Sequence, residues 1–293
     1  MWIWLSLLSA VGAAGTGFAV KRALDGSGAV VATVAYRAVG GALLLALVVG
    51  AGLARPDGPE FAWAVAVGIP FEIVGTVAFA LALREGELSL VSPLFGLLPV
   101  VVTLGAAVVL GEQPTAGALA GIGLVAVGVY VLGLGGGRGA WAPLKALATH
   151  PSGRWAGLSI LAWSVTTVVH KVGIAAVGPM PWAVTLSLGS AVGLLVAAPF
   201  LPRGLRASPA PDRPVPWGWW AVAAGALYAV QQVGLQNALD VAPAGYVIAL
   251  SSVSILFGVV AGLLLLGERG ARRARLGGAS LVTLGAAFVA LYG

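Results

Sequence analysis

The sequence predicts an all-α membrane protein, with ten transmembrane helices arranged as two inverted-topology five-helix repeats. Three observations predict it. Of its 293 residues 59% are hydrophobic and only 9% charged, where a soluble domain carries about a quarter charged residues. Uncharged apolar runs of about 20 residues, each long enough to cross a bilayer, recur from one end of the chain to the other. Finally, two stretches end alike: Pro93 to Gln113 closes on Gly111-Glu112, and Ala249 to Arg269 closes on Gly267-Glu268. Each is followed by one further apolar run.

Taken in order, the spans run over 2–20, 29–53, 61–83, 88–110, 115–134, 155–177, 181–201, 217–239, 244–266 and 276–292. In lipid, runs this apolar satisfy their backbone groups as helices. The N-terminus lacks the basic region of a signal peptide and stays apolar to Lys21, which predicts a first transmembrane helix. Pro114 and Pro181 fall at helix starts, where a missing N–H is tolerated. Pro70, Pro93 and Pro99 fall in or near the starts of the third and fourth spans. They are read either as kinks or as prolines accommodated by neighbouring helices.

The repeat is visible residue by residue. Setting Glu112 against Glu268 brings FALALREGELSLVSP opposite LQNALDVAPAGYVIA. Setting Lys21 against Lys171 brings residues 13–21 opposite 163–171. The first repeat is therefore read as residues 1–137 and the second as 155–293, joined by a basic, glycine-rich linker at 138–154. Five helices per half is an odd number, so the second half enters the membrane the other way up. That is the architecture of many secondary transporters, whose substrate sits near the midplane between the halves. The glycine pairs Gly117–Gly121, Gly189–Gly193 and Gly258–Gly262 predict close helix approach.

Composition also excludes several chemistries. Cysteine is absent, so there is no disulfide, thiolate metal site or cysteine nucleophile. Two histidines, His150 and His170, are too few for a multi-histidine metal centre. No phosphate-binding glycine loop is present, so ATP does not supply the drive, and no cofactor or metal is expected. The formal charge of +6 is read as orientation and anionic-lipid contact rather than nucleic-acid binding. An intramembrane enzyme would need convergent reactive groups. There is no HExxH, no GxSxG and no pair of intramembrane aspartates, so an enzyme is not expected.

Two mid-span ions stand out. Glu72 lies in the third span, about 16 Å from its C-terminal end at ~1.5 Å per residue. Arg37 lies about 12 Å into the second span from the same face, so the two can pair. Two readings are open: a proton-coupling carboxylate or cation site, in which Glu72 and Arg37 separate during the cycle, or a permanent pair pinning two helices. His170 suits a proton relay, or simply sits beside an interfacial Lys171. Gln231 and Gln232 are either substrate contacts or interhelical glue. Trp163 and Thr167 share a helix face, and with Tyr246 at the start of the ninth span they could line a cavity for an aromatic or cationic organic molecule. The other reading has hydroxyls such as that of Thr167 bonded to their own helix backbone.

These features together resemble the drug/metabolite transporter superfamily in its ten-helix EamA-like branch. The resemblance rests on Lys21 and Lys171 closing the first helix of each half, and on Trp163-Ser164 ahead of Lys171. Arg37 and the two Leu-Gly-Glu endings complete it. The first half departs from the pattern at Ala13, where a tryptophan is often found. The resemblance implies a secondary transporter in the inner (plasma) membrane. It would export or exchange a small metabolite, amino acid, amine or drug. Glu72 and His170 make protons the expected coupling ion, and passive facilitation fits equally well. A lipid-binding or lipid-flipping protein is the alternative. The resemblance also implies cytoplasmic termini. Charge predicts the opposite: loops joining odd to even spans carry 13 basic residues and the others carry Arg55 and Lys171, which places both termini outside.

Overall fold

The computed structural model describes residues 1–49, 58–86, 91–133, 149–201, 203–206, 216–257 and 272–293. Ten helices are labelled here in chain order: α1 Trp2–Leu24, α2 Ala29–Val49, α3 Pro59–Glu85, α4 Leu98–Leu110, α5 Ala116–Gly133, α6 Pro151–Val177, α7 Pro179–Ala197, α8 Trp217–Val241, α9 Ala244–Ser251 and α10 Arg272–Tyr292. A 3-10 turn, Ser92–Leu97, leads into α4. The second glycine-glutamate ending, the pair Gly258–Gly262 and most of the linker lie outside the described residues.

Among the described residues, five helices are long and apolar enough to cross a membrane: α1, α2, α3, α6, and α7 with its continuation to Phe200. Four shorter apolar helices accompany them. The eighth helix, α8, has 25 residues but carries four amides and Asp240. The chain is a multi-pass membrane protein. Pro70 leaves α3 continuous. At the fourth span, by contrast, the 3-10 turn carries Pro93 and Pro99 stands in the first turn of α4.

The principal helix contacts join the first five helices to the last five. The pairs are α1 with α8 and α9, α2 with α7 and α8, α3 with α6 and α7, α4 with α6 and α9, and α5 with α10. Exchanging α1–α5 with α6–α10 leaves this set unchanged. Small residues make the pairs possible. A methyl on Gly12 would fall 2.5 Å from the backbone nitrogen of Gln231, and one on Gly234 would meet the carbonyl of Leu5. Gly121 and Gly128 seat α5 on Gly285 and Gly278 of α10 in the same way. Gly193 receives Ile73 of α3. In lipid, where burial gives helices little reason to associate, such close approach supplies the dispersion that holds them.

Lys171, read above as interfacial, and Lys21 in the last turn of α1 could both have reached water. Instead each is spent on a neighbouring helix. Lys21 donates to the carbonyls of Leu83 and, at 3.0 Å, Gly86, at the end of α3. Lys171 donates to Leu239 at 2.8 Å and Ala242 at 2.9 Å, at the end of α8. These are equivalent positions: setting Glu112 against Glu268 also sets Leu83 and Gly86 against Leu239 and Ala242. A helix C-terminus leaves carbonyls without intrahelical partners and carries partial negative charge, so an ammonium there is doubly favourable. Lys171 also lies 3.5 Å from Glu112. The same carboxylate accepts the N–H of Ala244 at 2.9 Å, the first residue of α9.

Apolar clusters close both ends of the bundle. One gathers Leu24, Leu83, Ile160 and Ala224, where α1 and α3 finish and α6 and α8 begin. The other gathers Ala64, Ile174, Trp182 and Leu239 at the opposite end.

Candidate functional site

A cavity of about 210 Å³, partly open to its surroundings, lies between these two clusters. Its described walls come from α1, α2, α3, the turn into α4 with Leu98, α6, α8, and α9 with the residues just after it, whereas no described residue of α5, α7 or α10 lines it. Seven of the eight residues singled out from sequence line it: Arg37, Glu72, Trp163, Thr167, His170, Gln231 and Gln232. The eighth, Tyr246, is placed elsewhere. Its ring packs near Trp2, with centroids 6.3 Å apart, and its hydroxyl accepts the N–H of Thr115 at 2.9 Å, tying α9 to the start of α5. A hydroxyl used in that way fastens helices together rather than facing the cavity.

Three groups organise the wall. The first surrounds Arg37, which is 2% exposed. Its Nη2 donates to Glu72 and Thr76 of α3. Nη1 donates to the Tyr228 hydroxyl of α8 at 2.8 Å and to Ser190 of α7 at 3.4 Å. Nε reaches the hydroxyl of Tyr36 at 3.4 Å. All three guanidinium nitrogens are engaged, and the Tyr228 ring lies 4.6 Å from the guanidinium carbon. A buried charge is tolerable only when paired and hydrogen-bonded, and here one arginine joins α2, α3, α7 and α8. The sequence pointed to the pair. It did not point to Tyr36, Thr76, Ser190 or Tyr228, although Tyr228 lies four residues before Gln232 and so shares its helix face.

The second group surrounds His170. The indole Nε1–H of Trp182 donates to His170 Nδ1 at 2.8 Å. Gln236 Nε2 approaches the same nitrogen at 3.2 Å and donates to Gln232 Oε1 at 2.9 Å. Protonating His170 at Nδ1 would oppose the tryptophan N–H and break that bond, which bears directly on any relay role. Nothing in the sequence joins Trp182 to His170 except their places on either side of the turn between α6 and α7.

The third group is aromatic. Phe79, Phe95 and Trp163 form a triangle with centroids 5.2 to 5.6 Å apart, within the range at which rings attract. Phe79 follows Glu72 by two helical turns and shares its face. The cavity's threonines bond their own helices, as one reading expected: Thr166 to Ala162 at 3.0 Å, Thr167 to Trp163 at 2.7 Å and Thr16 to Gly12 at 2.8 Å. Each hydroxyl proton is thereby used, and lone pairs remain for the cavity. No cluster of three or more metal-ligating side chains occurs among the described residues.

The fold and this site define a helical multi-pass membrane protein with a partly polar internal cavity. Comparison places it further. Residues 1–134 match the EamA-like transporter family, which belongs to the drug/metabolite transporter superfamily. The family is one of membrane transporters rather than enzymes, and implies a small-molecule substrate and a lipid bilayer as partners. A solved structure titled only "Crystal structure of protein" is 18% identical, with a TM-score of 0.72. The match covers 100% of this chain and 99% of that one, a likeness of fold alone. No curated protein matches.

Proposed function

We propose that the protein is a secondary transporter of the inner (plasma) membrane. It moves a small organic metabolite or drug by alternating access, in export or exchange. The two halves, residues 1–137 and 155–293, enter the membrane in opposite senses and rock against one another around the cavity. The observation that carries this reading is the placement of Arg37, Glu72, Trp163, Thr167, His170, Gln231 and Gln232 around one internal cavity built from both halves. Polar and charged groups at membrane depth are costly, and lining a solute path is their usual use. The symmetric helix pairing and the matched lysine contacts support two equivalent halves.

The test is uptake into proteoliposomes of a panel of amino acids, amines, nucleosides and dyes, with and without a pH gradient. At least one compound crosses faster than into empty vesicles; failure of every compound would overturn the reading. Proton coupling is tested separately with Glu72→Gln. In a coupled transporter this variant loses acceleration by the gradient and keeps exchange. Retained gradient-driven transport would remove Glu72 from any coupling role.

A further inference from the structure

The hydrogen-bond sense of the cavity wall can be followed from a single side chain. The indole of Trp182 can only donate. His170 Nδ1 therefore accepts, and the neutral imidazole carries its proton on Nε2. Gln236 meets that accepting nitrogen through its Nε2, so its amide too is turned to donate. The same NH₂ group donates to Gln232, which turns the Gln232 oxygen away and leaves its own NH₂ free. The orientation has a visible cost: Gln236 Oε1 is buried without a partner. Rotating that amide would set oxygen against the lone pair of His170 and the oxygen of Gln232, so the orphan oxygen is the lesser penalty.

The cavity therefore receives His170 Nε2–H and the Gln232 NH₂ as donors without protein acceptors among the described residues, beside the amide of Gln231, which brings one further donor group and an acceptor. Nearby Thr166 and Thr167 have donated to their own helix and offer only lone pairs. Charge is equally constrained. The ionic side chains among the described lining residues are Arg37 and Glu72, one of each sign and paired. An ionic solute would enter without a counter-ion or would have to break that pair. The remaining wall offers the triangle of Phe79, Phe95 and Trp163 to a planar ring.

Resting on the transporter reading, we infer that the cavity takes an uncharged aromatic solute bearing a carbonyl or primary amide. Its oxygen accepts from His170 and Gln232, its amide N–H donates to the threonine lone pairs, and its ring lies against Trp163.

The test is calorimetric binding to the wild-type protein in nanodiscs at pH 7, with empty nanodiscs as control. The probes are benzamide, benzoate, benzylamine and cyclohexanecarboxamide. Benzamide binds at least about tenfold more tightly than the two ions, which lack a counter-charge, and more tightly than the non-aromatic amide. Equal or tighter binding of benzoate or benzylamine overturns the inference, and so does equal binding of cyclohexanecarboxamide. Binding of none of the probes, while the uptake panel finds a transported compound, overturns the inference and leaves transport standing. Benzamide binding without uptake of any panel compound keeps the site and removes the transport reading. Gln232→Leu weakens benzamide about tenfold, as an unmade hydrogen bond to a buried group should. Trp182→Phe, which leaves His170 Nδ1 held as an acceptor by Gln236 alone, narrows the gap between benzamide and benzylamine. An unchanged gap in a folded Trp182→Phe protein shows that Trp182 does not set the polarity of the wall.

Discussion

Glu112 and Lys171 meet at 3.5 Å across the boundary between the first five helices and the last five. One partner ends α4 and the other lies in the last turns of α6. The lysine also holds the end of α8, and the glutamate holds the first N–H of α9. Four helices are thus fastened at the face where α4, α6 and α8 finish, directly over one closure of the cavity.

Releasing that fastening should open the cavity from that face. A partly exposed ion pair contributes up to about 1 kcal/mol, so Glu112→Gln shifts the opening equilibrium by about fivefold at most. The chain has no cysteine, so Ser251→Cys in the cavity wall gives a single reporter. Its reaction with an impermeant maleimide, added from the face of Glu112, should accelerate by that factor. An unchanged rate argues that the closure is held by apolar packing alone.

The Arg37–Glu72 pair should respond asymmetrically to mutation. Glu72→Leu leaves a buried guanidinium without its counter-charge and costs about 3–5 kcal/mol. Removing both charges with Arg37→Met and Glu72→Leu should recover most of that loss, because the desolvation penalty disappears with the pair. Thermal unfolding of both variants in one detergent measures this. A double variant no more stable than the single one would mean that the bonds of Arg37 to Tyr228 and Ser190 outweigh the charge pair.

Two substitutions at one contact separate packing from hydrogen bonding. Ser159 of α6 donates to the Gly75 carbonyl of α3 at 2.8 Å. Interhelical hydrogen bonds in membranes average about 0.6 kcal/mol, so Ser159→Ala should be mild. A methyl on Gly75 would fall 2.5 Å from Cδ1 of Trp163, and overpacking costs about 1–3 kcal/mol. Gly75→Ala should lower the unfolding midpoint further than Ser159→Ala and displace Trp163. The reverse order would show that α3 and α6 are held by polar contacts.

At the α1–α8 contact, Gly12→Val should be more damaging than either. The added atoms meet the Gln231 backbone, which cannot rotate away, so the loss should reach the upper part of the ~1–3 kcal/mol range. Gly123→Val, with nothing within 4 Å of an added methyl, is the control and should leave the midpoint unchanged.

Parts of this molecule were legible in the sequence for a definite reason. The five long apolar helices were readable because hydrocarbon excludes charge, so each run announces its limits. Arg37 and Glu72 were readable for the same reason inverted: ions at that depth need partners. Which helix lies on which was hidden, because a lipid-facing surface and a helix-facing surface are both apolar. Lys21 and Lys171 looked like interfacial anchors because their acceptors, the carbonyls of Leu83 and Leu239, belong to the backbone and leave no trace in residue type. Trp182 was silent as well, since a tryptophan near a helix start reads as an interfacial ring.

The exchanged partnership of α1 with α8 has a consequence for biogenesis. Close to two hundred residues separate the end of α1 from the start of α8. At ~5–20 residues per second, α1 waits roughly 10 to 40 s for its partner to be synthesised. Throughout that interval the glycine face around Gly12 lies against lipid or an insertion factor. Assembly of this protein is therefore a late event, completed only when the second half arrives.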